Sequence, residues 1–414
     1  MNPNAIKVAK AELFQYVSPV KDIAASVASI CDPLKNSVLP GMRIAIGVGS
    51  RGVANIAIIT KVVVDFIKDL GAFPFIVPAM GSHGGATALG QKNLLKEYSI
   101  TEETMGVEIC SSMEVEQIAF IEGEESFPIF FDKYALAADG VVVINRVKAH
   151  TDFHGIHESG IVKMLVIGLG KHKQAVTMHR FGAEGLQRLI PIASKAVLEK
   201  MNILGGIAVL EDGADNTSEV VFALPQDFFE VDRNLLIRSK EIMAKLPFDE
   251  IDVLVIDEMG KDISGTGMDT NVIGRIRIEG QEDLGVNCKR IVCLDLTEPS
   301  HGNATGIGLA DVVTKRLVDK VDKQVTDENV ITSGFYERGF IPLVVEDDAK
   351  AIAVASIGNF DENTIKLARI KNTLDLTTIY LSKSLMDQLL HQQKGKQLTD
   401  YKPMSFTDGV IEKF

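Results

Sequence analysis

The sequence predicts an α/β protein built as two α/β domains, with a cofactor and substrate cleft expected between them. Three observations carry this reading. Strand-like and helix-like segments alternate along almost the whole chain. The strand-like segments are short β-branched apolar runs, as expected of parallel strands buried on both faces. Glycine-rich loops follow their carboxyl ends, where open α/β sheets place ligands.

In chain order, RIAIGVG (43–49) reads as a strand and 55–71 as a helix closed by Gly71. FPFIVPAM (73–80) is the next strand, followed by the loop GSHGGAT and a helix near 87–97. GVVVINRV, from Gly140, is a β-branched strand that ends in polar residues. A helix near 184–201 and a strand near 206–210 come next. After the helix-like stretch 234–246, IDVLVIDE (251–258) and KRIVCLDL (289–296) are strands leading into the loops MGKDISGTGMDTN and TEPSHGNATGIG. The domain boundary is placed near residue 240. Residues 1–240 form an N-terminal domain carrying the cofactor and histidine loops, and 241–414 a C-terminal domain closing the cleft.

With 414 residues, 46% of them hydrophobic and 24% charged, the chain is too long for one ordinary core and has a globular composition. A net charge of −13 argues against nucleic acid as a partner. The N-terminus lacks a signal-peptide pattern, and no apolar stretch reaches the ~18 residues a membrane span needs. A cytoplasmic protein without a membrane partner is expected. Cys31, Cys110, Cys288 and Cys293 contain no CxxC pair and read as reduced structural residues.

The densest chemistry lies in 145–180, which holds His150, His154, His157, His172 and His179, five of the chain's eight histidines. Imidazoles gathered in this way serve proton transfer or metal ligation more often than packing. His150, His154 and His157 are spaced i, i+4, i+7, one face of a helix and a candidate metal site, although Thr151, Asp152, Phe153 and Gly155 make a poor helix. Lys163 stands alone among seven apolar residues in IVKMLVIG, where a lysine needs a partner or a covalent use. His179 follows it by sixteen residues, about 160° away on a continuous helix, so the two converge only if the chain breaks near Gly168 and Gly170. The loop GVGSRG (47–52) offers an anion the helix N-terminus and Arg51, or else is a tight turn. His83, between glycines, is placed to meet a ligand or to satisfy a turn carbonyl. Lys261–Asn271 and the loop with His301 and Asn303 are further strand-end candidates.

Together these loops resemble the nickel-dependent lactate racemase family, most strongly over residues 41–185. Ser50-Arg51 stands at the family's Thr-Arg, Gly81-Ser82-His83 with Thr87 at its Gly-x-His loop, and His150 at its strand-end histidine. Lys163 and His179 stand at its lysine and at the histidine sixteen residues beyond. The resemblance implies a covalently tethered nickel-pincer nucleotide, the nickel complex of pyridinium-3,5-bisthiocarboxylic acid mononucleotide. Lys163 would be the tether, Ser50 and Gly52 cofactor contacts, and His179 the nickel ligand. His83 and His150 would be paired acid/base residues, and Arg51 would orient the substrate carboxylate. Departures are Val48 in place of an aspartate, a longer stretch from His150 to Lys163, and GMDTNVIGRIR without the expected Gln and Lys. Lys261, Asn271 or Arg277 then contact substrate. The implied activity is racemisation or epimerisation of a small 2-hydroxy acid or sugar acid by hydride transfer, with cofactor-making enzymes as partners. The alternatives are a metal-dependent hydrolase or lyase using His150, His154 and His157, and a non-enzymatic small-ligand binder.

Overall fold

The first strand, β1 (Lys7–Leu13), does not join the strands that follow it in sequence. In the computed structural model, which describes residues 3–49, 52–358, 361 and 363–414, the chain divides into two units. One is Tyr16–Met243; the other combines Met1–Gln15 with Ala244–Phe414. The expected N-terminal domain of 1–240 therefore claims fifteen residues that belong with the C-terminal part. The partners of β1 are antiparallel strands more than 360 residues away, so no local turn signal announces the pairing.

Within Tyr16–Met243 the strands are β2 (Arg43–Val48), β3 (Phe73–Pro78), β4 (Val115–Ile121), β5 (Phe127–Asp132), β6 (Gly140–Arg146), β7 (Ile203–Glu211) and β8 (Thr217–Ala223). Five of them form one sheet in the order β3-β2-β6-β7-β8, parallel except for the last pair, while β4 and β5 form a separate hairpin. Central parallel strands are covered on both faces, which is why β2 and β3 bury every residue but the first. On one face Ile44, Ile46, Val142 and Ile144 meet Ile59, Val63, Val64 and Ile67 of the helix Ile56–Asp69. The i, i+4, i+8 spacing of Ile59, Val63 and Ile67 gives that helix its apolar stripe. On the other face Gly206 leaves room for the Phe228 ring, which seats the helix Phe228–Ile242.

Because β3 lies on one side of β2 and β6 on the other, the strand order reverses between β2 and β6. A reversal of this kind opens a crevice beyond the carboxyl ends of the two strands. The histidine segment follows β6 directly, and the glycine loop follows β2.

In the other unit β9 (Glu250–Ile256), β10 (Asn287–Cys293), β11 (Val312–Thr314) and β12 (Leu343–Val345) are parallel neighbours. Beyond β9 come β13 (Leu367–Ile370), β14 (Thr378–Ser382), β1 and β15 (Gly395–Gln397), antiparallel from β13 onward. Alternation divides β9 between two cores: Ile251, Leu254 and Ile256 face one, Val253 and Val255 the other. All four cysteines are buried free thiols. Burial pushes the Cys31 and Cys288 thiols up to about 12 and that of Cys110 to about 11, so they stay protonated. Among the described residues no helix is long and apolar enough to cross a membrane.

A methyl group on Gly206 would stand 2.8 Å from Phe228 Cζ and 3.1 Å from Val143 Cγ2. Gly206→Ala is therefore expected to lower stability by about 1–3 kcal/mol in urea unfolding, the usual cost of overpacking. An unchanged midpoint would mean that the Phe228 seat is looser than described.

Candidate active site

The segment after β6 is closed on itself before it reaches Lys163. Lys148 and Ser159 exchange backbone hydrogen bonds, N to O at 2.9 and 3.2 Å, and so pinch off the loop 149–158. Inside the loop the Glu158 carboxylate accepts from the His150 N–H at 2.6 Å and the Gly155 N–H at 3.0 Å, and it pairs with Lys240 at 2.5 Å. Its side chain is fully buried. Burial alone would raise its pKa, but hydrogen bonds from His154, Lys240, Gly155 and His150 outweigh burial and hold it below the ordinary value.

A second buried carboxylate grips the other end. Asp232, on the helix Phe228–Ile242, accepts from the Val162 N–H at 3.1 Å and lies 3.2 Å from His157 Nδ1. Gly160 is required where the chain passes it, because a Cβ there would lie 2.0 Å from Asp232 Oδ2. Asn145, at the end of β6, donates to the Gly160 carbonyl at 2.9 Å.

These anchors bring His150 against Lys163. His150 Nε2 is 2.5 Å from Lys163 Nζ, and its ring stacks on Phe153 with centroids 4.5 Å apart. Nδ1 accepts from the Asp152 N–H at 3.1 Å, so the neutral ring carries its proton on Nε2, facing the lysine. Lys163 ends the short helix Ile161–Lys163, which runs on as a π-helical turn, Met164–Gly168. Such turns recur at functional sites.

The other two loops converge on this turn. At the end of β2, a Cβ on Gly49 would strike Asn145 Oδ1 at 2.6 Å and Met164 Cε at 2.9 Å. After β3, the Gly81 N–H donates to the Gly168 carbonyl at 3.3 Å. The Gln91 side chain donates to the carbonyls of Gly81 at 2.9 Å and His83 at 3.3 Å. Thr87 caps the helix Ala88–Glu97. Below the loop, the buried Lys171 ammonium meets Pro78 O, Gln91 Oε1 at 3.2 Å and Asp132 Oδ2 at 3.4 Å. Burial lowers the pKa of Lys171 and raises that of Asp132, each opposed by the other's charge.

Gly52 adopts a left-handed backbone, and the turn after it is tied to β7 and β8 by Ala54 N to Glu211 Oε1 at 2.7 Å and Asn55 Nδ2 to Thr217 Oγ1 at 2.9 Å. Ser50 and Arg51 lie outside the described residues. His179 is the last residue of the helix Lys171–His179, which is docked on β5 by Phe130 N to Gln174 Oε1 at 2.7 Å. The break expected near Gly168 and Gly170 is present. Its left-handed residue is Lys171, at φ 56°.

One expectation needs correction. His150, His154 and His157 do not share a helical face, because 150–158 is held as an irregular loop by Glu158. The three rings face Lys163, Glu158 and Asp232 respectively, and among the described residues no three His, Cys, Asp or Glu side chains are grouped to hold a metal. Arg277 places its terminal nitrogens on Gly308 O at 2.5 Å, Ala310 O at 3.2 Å and Asp311 Oδ1 at 2.8 Å. Lys261 Nζ donates to Gly265 O and Asn329 Oδ1, and the Asn271 amide to Asp269, all inside the C-terminal unit.

Glu158, Asp232, Lys240, Gln91 and Asp132 escaped the sequence reading. A buried acid whose partners lie 75 or 82 residues away leaves no local pattern.

No family model and no curated protein sequence matches the chain. Among solved structures it is similar to the lactate racemase apoprotein from Thermoanaerobacterium thermosaccharolyticum. The TM-score is 0.53 and the identity 13%, over 87% of this chain and 97% of that one. At this identity the likeness shows the fold, an α/β architecture of the lactate racemase kind.

Glu158→Gln is expected to cost about 2 kcal/mol at neutral pH, since charge-assisted hydrogen bonds to buried backbone N–H groups are lost. The pH dependence has a definite sign. With the folded pKa below the ordinary 4.5, the Glu158 contribution is complete above that value and is lost as pH falls through the folded one. Urea unfolding of wild type and variant should therefore converge in acid; a gap constant from neutral pH downward contradicts the assignment.

Proposed function

We propose that the protein is a racemase or epimerase of a small 2-hydroxy acid or sugar acid, working in the cytoplasm with a nickel-pincer nucleotide tethered to Lys163. The observation that carries this is the His150–Lys163 contact at the strand-order reversal between β2 and β6. The lactate racemase-like fold supports it.

The residues present suit such a group. Lys163 offers a half-buried amine in contact with the His150 ring, and an amine is the nucleophile that an amide-type tether requires. The helix Ile56–Asp69 begins shortly after Gly52, and a helix N-terminus is a setting suited to a phosphate. His179 would supply a nitrogen donor to the nickel of such a group. Bound there, such a group would supply reversible hydride-acceptor chemistry for the hydroxyl-bearing carbon.

The chain's own work is then proton transfer and orientation. One of His83 and His150 takes the substrate hydroxyl proton while the other returns a proton on the opposite face, and the roles exchange for the mirror-image substrate. The Asp152 N–H, held on His150 Nδ1, fixes the orientation of that ring. Arg51 is assigned to the substrate carboxylate, with Ser50 and Gly52 on the cofactor side. Lys261 and Asn271 are proposed substrate contacts on the resemblance alone.

His83→Ala and His150→Ala should each lower racemisation in both directions by about 10²-fold or more, as expected for loss of a positioned acid or base. Deuterium at the substrate's C2 should be largely retained in the product. Complete washout into solvent would mean deprotonation at carbon and would end the hydride reading.

A further inference from the structure

We infer that Asp132, Lys171 and Gln91 form a positioning relay for His83: a buried ammonium fixes the orientation of the Gln91 amide, and that amide holds the backbone of the histidine loop. The inference rests on the reading of His83 as one of two bases, and it concerns residues that reading does not use.

The loop has little stiffness of its own. Gly81, Gly84, Gly85 and Ala86 all have positive φ, and its internal bonds are short-range, such as Ala86 N to Ser82 O at 3.1 Å and Thr87 Oγ1 to Gly84 O at 3.0 Å. A loop of this kind places a side chain well only when something outside it holds its carbonyls. Gln91 does so from the first turns of the following helix, with Nε2 on both Gly81 O and His83 O.

A carboxamide can present either end. Here the choice is forced, because Gln91 Oε1 faces Lys171 Nζ and an ammonium has only protons to give. The NH2 end must then point at the loop. The ammonium has three acceptors around it: Pro78 O at the end of β3, Gln91 Oε1 and Asp132 Oδ2. The other oxygen of Asp132 caps Tyr134 N and Ala135 N at 2.8 and 2.9 Å, so the acid is itself fixed in direction. Gln91, Lys171 and Asp132 are all fully buried.

The backbone of Lys171 adds an independent sign. It is left-handed at φ 56°, where a glycine would sit without strain, and it directly follows Gly170. A lysine kept in that conformation with a fully buried side chain is there for its ammonium. The relay also joins the two histidine loops: Lys171 follows the π-helical turn that begins after Lys163, the contact of His150, while Gln91 and Gly168 O hold the loop of His83.

Two variants test this in cofactor-loaded protein, each checked by thermal unfolding. Gln91→Glu keeps the shape and can still meet Lys171 but has nothing to donate to the loop. Lys171→Met with Asp132→Asn removes both charges together, so neither is left buried alone. In each, amide exchange over residues 81–87 should rise about tenfold, the size of one or two lost buried hydrogen bonds. The rate at which diethylpyrocarbonate modifies His83 should change with it. If His83 acts as a base, kcat should fall about a hundredfold with KM near wild type, as expected for a misplaced catalytic group. Wild-type exchange and His83 reactivity in both folded variants overturn the relay, whatever the activity does. A released loop with unchanged kcat supports the relay and overturns the role of His83 as a base.

Discussion

Two buried carboxylates, Glu158 and Asp232, hold the His150 side of the candidate site in place. The stretch from His150 to Val162 has almost no regular structure, so no ladder of helix or sheet hydrogen bonds defines where His150 lies. The acids take over that task by accepting the N–H groups of His150, Gly155 and Val162. An ionised acid accepting buried N–H donors contributes roughly 1.5–3 kcal/mol per bond, more than a neutral turn bond, and leaves donors orphaned when removed. Each acid is itself paired, Glu158 with Lys240 and Asp232 with His157, which offsets the desolvation that would otherwise expel it. The helix Phe228–Ile242 supplies both Asp232 and Lys240, so its seat on the sheet through Phe228 reaches the chemistry directly.

The sheet decides which loops can meet. The reversal of strand order around β2 brings the carboxyl ends of β3, β2 and β6 side by side, so loops distant in sequence emerge on one edge. Close approach does the rest. Gly49 admits Asn145 and Met164 at distances no Cβ would allow, and Gly81 bonds to the turn that begins after Lys163. The π-helical turn at Met164–Gly168 and the left-handed Lys171 redirect the chain between Lys163 and His179, which one straight helix would not do.

Much of this was legible before the structure. Buried parallel strands announce themselves as apolar runs, and β2, β3, β6, β7, β9 and β10 fall on the runs read as strands. The contact of His150 with Lys163 joins two residues already singled out, one as a strand-end imidazole and the other as a lone lysine among apolar neighbours. The hidden parts depend on long-range partners. β1 pairs across most of the chain, and the β4–β5 hairpin is half exposed with irregular register. Asp232 looks like any acid on an amphipathic helix until Gly160 is packed against it. The i, i+4, i+7 histidines misled for the opposite reason: the spacing is helical, but Glu158 pays its hydrogen bonds to a loop.

The central claim is that the Lys163 amine, held against His150, is the point at which a nucleotide cofactor becomes covalently attached. The most direct measurement is the intact mass of the protein after co-expression with enzymes that make the nickel-pincer nucleotide, followed by peptide mapping. The account predicts an added mass on the peptide containing Lys163 and its absence in Lys163→Ala. An unmodified wild-type mass in cells where the cofactor is made, or the same adduct in the Lys163→Ala protein, would contradict it.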